Sequence, residues 1–251
     1  MERASRKQAG HYHEIHDAYE AHYFDRTSMQ YRREFFYDPM FSGIDLNGLL
    51  VADLAAGAGH NSMDLKKRYP KAATLGFDIS KKACESYKQL VGAPAFELDL
   101  TLGKAVDHKV DAAIIIGGLH HCVSDLKDTL RTVASMVKPG GYFFICEPNE
   151  RCFLENIRNL WYRKDKYFEA TTEHSLDHDR LFAMATEWFE FDTCRYMGGP
   201  AYFLIYNSLV LRVPAWIKPL IWPPLAIMER IYNLLPGSSP FPYFVARWRR
   251  R

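Results

Sequence analysis

Between Leu49 and Cys146 the chain alternates short apolar runs with amphipathic segments, and this alternation constrains the fold more than any other feature. The runs are Leu49–Leu54, Ala73–Asp78, Ala95–Leu98, Val110–Ile116 and Tyr142–Cys146. Helical segments at Asn61–Tyr69, Lys81–Leu90 and Asp125–Val137 separate them. In the last of these, Leu126, Leu130, Val133 and Val137 recur at helical spacing. Strands that are apolar along nearly their whole length are buried on both faces, so the pattern predicts an α/β domain with a parallel sheet covered by helices on both sides. Lys138-Pro139-Gly140-Gly141 reads as a turn before the fifth strand.

Beyond Glu147 the alternation loosens. Arg151–Arg163 and Leu176–Glu187 read as helices, the second capped by Ser175 or Asp177. Trp188–Tyr196 reads as a sixth strand and Phe241–Trp248 as a seventh, with Arg249–Arg251 a frayed basic end. Between them, residues 200–242 hold 8 of the 13 prolines, which suggests short apolar helices separated by prolines. The expected organisation is an N-terminal helical lid (1–45), a core (46–199 and 240–251) and a proline-broken apolar helical insertion (200–239).

Composition excludes several classes. Lys and Arg number 32 against 30 Asp and Glu, a net charge of +2, too little for a dedicated nucleic-acid binder. The five cysteines form no CxxC pair and no even framework, so neither a zinc site nor disulfides are expected. The first ten residues lack the apolar run of a signal peptide, and no stretch approaches the roughly 20 apolar residues of a spanning helix. A cytoplasmic protein is expected.

The chemistry is written in the first loop. Val51-Ala52-Asp53-Leu54-Ala55-Ala56-Gly57-Ala58-Gly59 is an apolar strand running into a Gly-x-Gly turn and then a helix, where glycines let backbone come close to a ligand. Asp78 ends the second strand about where a ribose-binding acid belongs, and Asp99 ends the third. In a doubly wound sheet all three open on one carboxyl edge, which makes a nucleoside site. Ser62 stands where a dinucleotide fingerprint wants its third glycine, no Gly-Lys-Ser/Thr phosphate loop follows, and Asp53 on the strand suits a cationic ligand better than a pyrophosphate.

Asp53-x-x-x-Gly57-x-Gly59, Asp78, Asp99, Gly117-Gly118-Leu119-His120-His121 and Lys138-Pro139-Gly140-Gly141 together resemble a class I S-adenosylmethionine-dependent methyltransferase of the small-molecule type, over roughly residues 45–150. The resemblance implies a Rossmann-like, doubly wound, seven-stranded, mostly parallel sheet with an antiparallel last strand. It implies S-adenosylmethionine as cofactor and S-adenosylhomocysteine as product. Asp53, Gly57 and Gly59 would hold the methionine portion, Asp78 the ribose, Ile79, Asp99 and Leu100 the adenine end, and Gly117 would set backbone beside the cofactor. Tyr12 and Tyr19 resemble the N-terminal tyrosines of small-molecule members whose first helix closes over the cofactor. The acids often seen after those tyrosines are here His13 and Glu20.

Methyl transfer from a sulfonium needs a base only where the acceptor must lose a proton. His120 and His121, on the loop after the fourth strand, are the candidates. His174 and Glu147 are candidates for acceptor contact; each also has a plain structural role open to it. No metal site is expected. No Asn/Asp-Pro-Pro-Tyr follows the fourth strand, which leaves a small-molecule acceptor on oxygen or nitrogen, hydrophobic or carrier-linked. The insertion reads as an acceptor lid, a helical cap or dimer face, or a peripheral membrane contact with Lys218 and Arg230 near headgroups. Two rivals share the sheet: a nicotinamide-dependent oxidoreductase and a non-catalytic nucleoside-binding protein.

Overall fold

A computed structural model of the protein describes residues 22–155 and 174–251. Seven strands form one sheet: β1 (Leu50–Leu54), β2 (Ala73–Asp78), β3 (Ala95–Glu97), β4 (Val110–Ile116), β5 (Val137–Pro148), β6 (Phe189–Met197) and β7 (Tyr243–Arg250). Their order is β3-β2-β1-β4-β5-β7-β6. β1 to β5 pair in parallel, and β7 runs antiparallel between β5 and β6.

The pleat sends successive side chains to opposite faces, and both faces are buried. Val51, Ala112, Ile114, Phe144 and Val245 face one core; Ala52, Ala113, Ile115, Phe143 and Ala246 face the other. Burial on both sides is why the strands read as continuous apolar runs. The second core is closed by α4 (Leu126–Met136) and α5 (His178–Ala185), with Trp248 fully buried between them and the sheet.

The first core is closed by the N-terminal segment and the 200–239 stretch. α1 (Arg26–Arg32), capped by Asp25, runs on through a π-helical turn (Arg33–Tyr37) into a last α turn (Asp38–Met40). It brings Tyr31 and Phe36 against Tyr206, and Tyr31 and Phe35 against Trp222. α2 (His60–Arg68) and α3 (Lys81–Val91) follow β1 and β2.

Several expectations are corrected. Lys138-Pro139-Gly140-Gly141 is not a separate turn but lies inside β5, as a bulge opposite Val110 and Ala112. Gly140 adopts φ +77°, and a Cβ on Gly141 would stand 2.5 Å from the Asp111 carbonyl oxygen. The short proline-separated helices are largely one 15-residue helix, α6 (Lys218–Tyr232), that contains Pro219, Pro223 and Pro224. Pro219 falls where helical N–H groups lack partners anyway, and packing of Trp222, Leu225 and Ala226 offsets the bonds lost at the other two.

Lys218 is not a headgroup contact. Its fully buried ammonium donates to Asp25 Oδ2 (2.6 Å), the His22 carbonyl (2.6 Å) and Ser28 Oγ (2.8 Å). Arg249 and Arg250 are not frayed: both lie in β7, where Arg250 donates to the carbonyls of Ala134 and Trp188. Asp177, not Ser175, caps α5; Ser175 donates to Glu155. Tyr12, Tyr19 and most of the Arg151–Arg163 helix lie outside the described residues. Among the described residues, no helix is long and apolar enough to cross a membrane.

Candidate active site

The carboxyl ends of β1, β2, β4 and β5 bring the predicted residues to one edge. Gly57 (φ +54°) and Gly59 (φ +95°) make the turn from β1 into α2. At Gly59 a Cβ would stand 2.4 Å from Val91 Cγ2 and 2.6 Å from Tyr87 Cδ2, so only glycine lets the turn rest on α3. Asp78 ties that turn to β2: Oδ2 accepts from Gly57 N at 2.9 Å and Oδ1 from Ser80 N at 2.8 Å. Ile79 N also bonds to this carboxylate, so three backbone N–H groups take part of its acceptor capacity of about four lone-pair sites. Burial raises the Asp78 pKa against these backbone bonds.

Asp53 is fully buried at the middle of the edge. Its Oδ2 accepts from Ser62 N (3.2 Å) and Ser62 Oγ (2.7 Å), and Tyr87 OH donates to Ser62 Oγ (2.7 Å). Oδ1 has no hydrogen-bond partner. Burial pushes this carboxyl up to about 7, against hydrogen bonds from Ser62 and Asn61. A buried carboxylate with one orphaned oxygen beside a glycine turn fits a cationic group, and the ammonium-bearing methionine end of S-adenosylmethionine is such a group. Asp99 accepts from Thr101 N (3.0 Å) and Thr101 Oγ1 (2.5 Å), capping the short 3₁₀ turn Leu100–Leu102 whose Leu100 is buried. Ile79 is half-buried just after β2.

The most defined cluster surrounds Glu147, at the end of β5. It is buried next to the loop after β4. Oε1 accepts from Gly118 N (2.8 Å) and Leu119 N (2.7 Å). Oε2 lies 2.8 Å from His120 Nδ1 and also receives His120 N at 3.4 Å. Gly117 (φ +69°) starts the loop and bonds back to the Cys146 carbonyl. Gly118 has no room for a side chain, since a Cβ would meet Ala55 Cβ and Ile115 Cγ1 at 2.8 Å.

Burial pushes Glu147 up to about 7, against the backbone bonds and the nearby His121. With N–H donors aimed at both its oxygens, the carboxylate acts as acceptor, so the proton of neutral His120 sits on Nδ1. Nε2 then carries the lone pair. The His120 and His121 rings lie 3.9 Å apart, and His174 N donates to the His120 carbonyl at 3.4 Å. Residues predicted from three separate segments thus meet, with Glu147 as orienting group and His174 touching the loop through its backbone.

Arg32 is the residue that sequence reasoning missed. It is buried between the site and the N-terminal helix, donating to Asn61 Oδ1, Tyr206 OH (3.2 Å) and Tyr37 OH (3.4 Å), over the rings of Phe24, Phe36 and Tyr206. A cation there also acts on Asp53, Cys146 and Tyr206. No short motif carries Arg32; only its place in an aromatic helix marks it. Among the described residues, no three His, Cys, Asp or Glu converge as metal ligands.

Residues 51–141 match a family described as a methyltransferase domain. No curated protein matches the chain. Among solved structures it is similar to a SAM-dependent methyltransferase from Archaeoglobus fulgidus (TM-score 0.59, 15% identity, 94% of this chain and 99% of that one). It is similar also to the N-methyltransferase NodS from Bradyrhizobium japonicum WM9 in complex with S-adenosyl-l-homocysteine (TM-score 0.55, 10% identity, 90% and 88%). A third is the StiE O-MT, residues 961–1257 (TM-score 0.52, 13% identity, 90% and 77%). The domain match favours neither the nicotinamide-dependent nor the non-catalytic reading.

Proposed function

We propose that the chain is a class I S-adenosylmethionine-dependent methyltransferase and that it methylates a hydroxyl oxygen of a small, hydrophobic or carrier-linked metabolite, with His120 as general base; the methyltransferase-domain match over residues 51–141 supports this. The observation that carries the reading is the Glu147–His120 pair. An amine attacks with its own lone pair, whereas a hydroxyl is a better nucleophile as its proton leaves, and His120 Nε2 is a base held by a buried carboxylate. When bound, S-adenosylmethionine supplies a methyl group already activated by its sulfonium.

The chain's own work is then positioning, proton removal and exclusion of water. Asp53 holds the methionine ammonium and the Gly57–Gly59 turn lets backbone approach. Asp78 would take the ribose hydroxyls, Asp99, Ile79 and Leu100 would form the adenine end, and Gly117 would set backbone beside the cofactor. Tyr12 and Tyr19 lie outside the described residues; His121 and His174 would be on the acceptor side. Residues 22–45 and the 200–239 insertion close the first core, and would bound the acceptor on that side. Five free cysteines fit a reducing cytoplasm.

The test is His120→Gln. Methylation of phenolic acceptors should fall at least about a hundredfold, with S-adenosylhomocysteine still titrating at wild-type affinity. Unchanged turnover would remove the base and with it the case for oxygen over nitrogen.

A further inference from the structure

Asp53 does not stand alone behind the glycine turn. Ser62 Oγ lies 2.7 Å from Asp53 Oδ2 and 2.7 Å from Tyr87 OH. A serine hydroxyl has one proton to give. While Asp53 is ionised that proton goes to the carboxylate, so Ser62 can only accept from Tyr87. The two hydroxyls then point one way, from Tyr87 to Ser62 to Asp53. Burial and the nearby Asp53 push the Tyr87 phenol upward, so it stays protonated and remains a donor. All three residues are 0% exposed. In a dry interior, aligned hydrogen bonds polarise one another and strengthen toward the charged end.

Tyr87 reaches this place from α3 because two glycines make way for its ring. A Cβ at Gly59 would stand 2.6 Å from Tyr87 Cδ2, and one at Gly76 would stand 2.8 Å from the same atom. Gly76 is the residue that pairs with Asp53 across β1 and β2. A phenylalanine would fill this space equally well. A buried phenol needs a hydrogen-bond partner, and the partner here is the hydroxyl that orients Asp53. Other groups act on the carboxylate from the N-terminal helical segment: Arg32 of α1 and Tyr37 of the π-helical turn. Asn61 of α2 bonds to it beside Ser62. Its ladder neighbours on β2 and β4, Gly76 and Ile114, carry no charge.

We propose that Tyr87 is a positioning residue for the cofactor: acting through Ser62, it keeps Asp53 ionised and its Oδ2 occupied, which leaves the partnerless Oδ1 to receive the ammonium of S-adenosylmethionine. Tyr87 touches no ligand in this scheme. Its ring supports the glycine turn and its hydroxyl sets the charge behind it. The cofactor half rests on the methyltransferase reading; the relay from Tyr87 to Asp53 does not.

The test is Tyr87→Phe in the full chain, which keeps the ring against Gly59 and Gly76 and removes the hydroxyl. Carboxyl carbon NMR of the ligand-free protein, with the Asp53 signal assigned by Asp53→Asn, should show the Asp53 midpoint about one pH unit higher in the variant. Calorimetry should then show S-adenosylhomocysteine bound about fivefold more weakly at pH 7, and within about twofold of wild type at pH 8.5, where both carboxyls are ionised. A purely structural loss would weaken binding equally at both pH values. Ser62→Ala cuts the relay in the middle, so adding Tyr87→Phe to it should move the midpoint no further. An unmoved midpoint in Tyr87→Phe overturns the proposal, even with S-adenosylhomocysteine bound normally, and so does an equal shift in the Ser62→Ala background. A moved midpoint in a protein whose wild type binds no S-adenosylhomocysteine overturns the cofactor role together with the methyltransferase reading, and leaves the relay standing.

Discussion

Replacing Glu147 by Gln changes one oxygen to an amide and little else in volume. Oε1 can still accept from Gly118 N and Leu119 N. The new NH₂ then stands where Oε2 received His120 N and His120 Nδ1–H, donor against donor. The imidazole escapes by moving its proton to Nε2, so that Nδ1 accepts from the amide. A histidine in that tautomer cannot take a proton from an acceptor at Nε2. Loss of general-base catalysis is worth about 10²–10⁴ in rate, or about 3–5 kcal/mol of barrier. The loss should fall on kcat, with acceptor KM and S-adenosylhomocysteine affinity nearly unchanged, because no binding group is removed. The assay is S-adenosylhomocysteine release with simple phenols and apolar alcohols across pH 5.5–9. Wild-type kcat should fall as pH drops through about 7, where Glu147 takes up its proton. A Glu147→Gln enzyme within about threefold of wild type would refute the tautomer argument, since that is far below the range expected of a lost base.

Cofactor binding should itself titrate. Asp53 is raised to about 7, so its ionised form fades as pH falls through that value, and affinity for the ammonium-bearing S-adenosylhomocysteine should drop about tenfold between pH 8 and 6. Calorimetry on Asp53→Asn should show weaker binding without that slope; the ligand-free wild type should show the opposite trend, gaining stability as pH falls through 7. Gly59→Ala should cost about 2–5 kcal/mol in urea unfolding, from positive-φ strain plus a Cβ placed 2.4 Å from Val91 Cγ2. Lys218→Ala should cost about 3 kcal/mol by the same assay, because it leaves Asp25 partly buried without its cation, and Lys218→Met should cost less because it keeps the packing.

The sheet was legible wherever burial was two-sided. β2 and β4 coincide with their apolar runs, and β1 begins one residue later than its run, because a strand between two helical layers carries few polar positions to blur its pattern. The start of β5 was not legible: Pro139, Gly140 and Gly141 carry turn chemistry, yet the bulge uses that freedom inside the ladder. α6 was misread as fragments because local proline signals outweigh the tertiary packing that holds the helix together. In the site, the Gly57–Gly59 turn, Asp78 and the His120–His121 loop stand together as their spacing suggested. The role of Glu147 needed β5 laid beside β4, a contact between residues 29 apart that no motif spells out. Arg32 stayed hidden for the same reason, its partners Asn61 and Tyr206 being far away in sequence. Ser62, read only as a missing glycine, proves to be the hydrogen-bond donor to Asp53.

The site as a whole rests on the edge joined by Asp78, whose carboxylate fixes the glycine turn and, on the proposed reading, would take the ribose hydroxyls. Calorimetric titration with S-adenosylhomocysteine, of wild type beside Asp78→Ala and with a nicotinamide dinucleotide as control ligand, tests this most directly. Wild type should bind S-adenosylhomocysteine in the micromolar range, the variant should show no detectable binding, and the dinucleotide should bind neither. Equal binding by wild type and variant, or binding of the dinucleotide in place of S-adenosylhomocysteine, would contradict it.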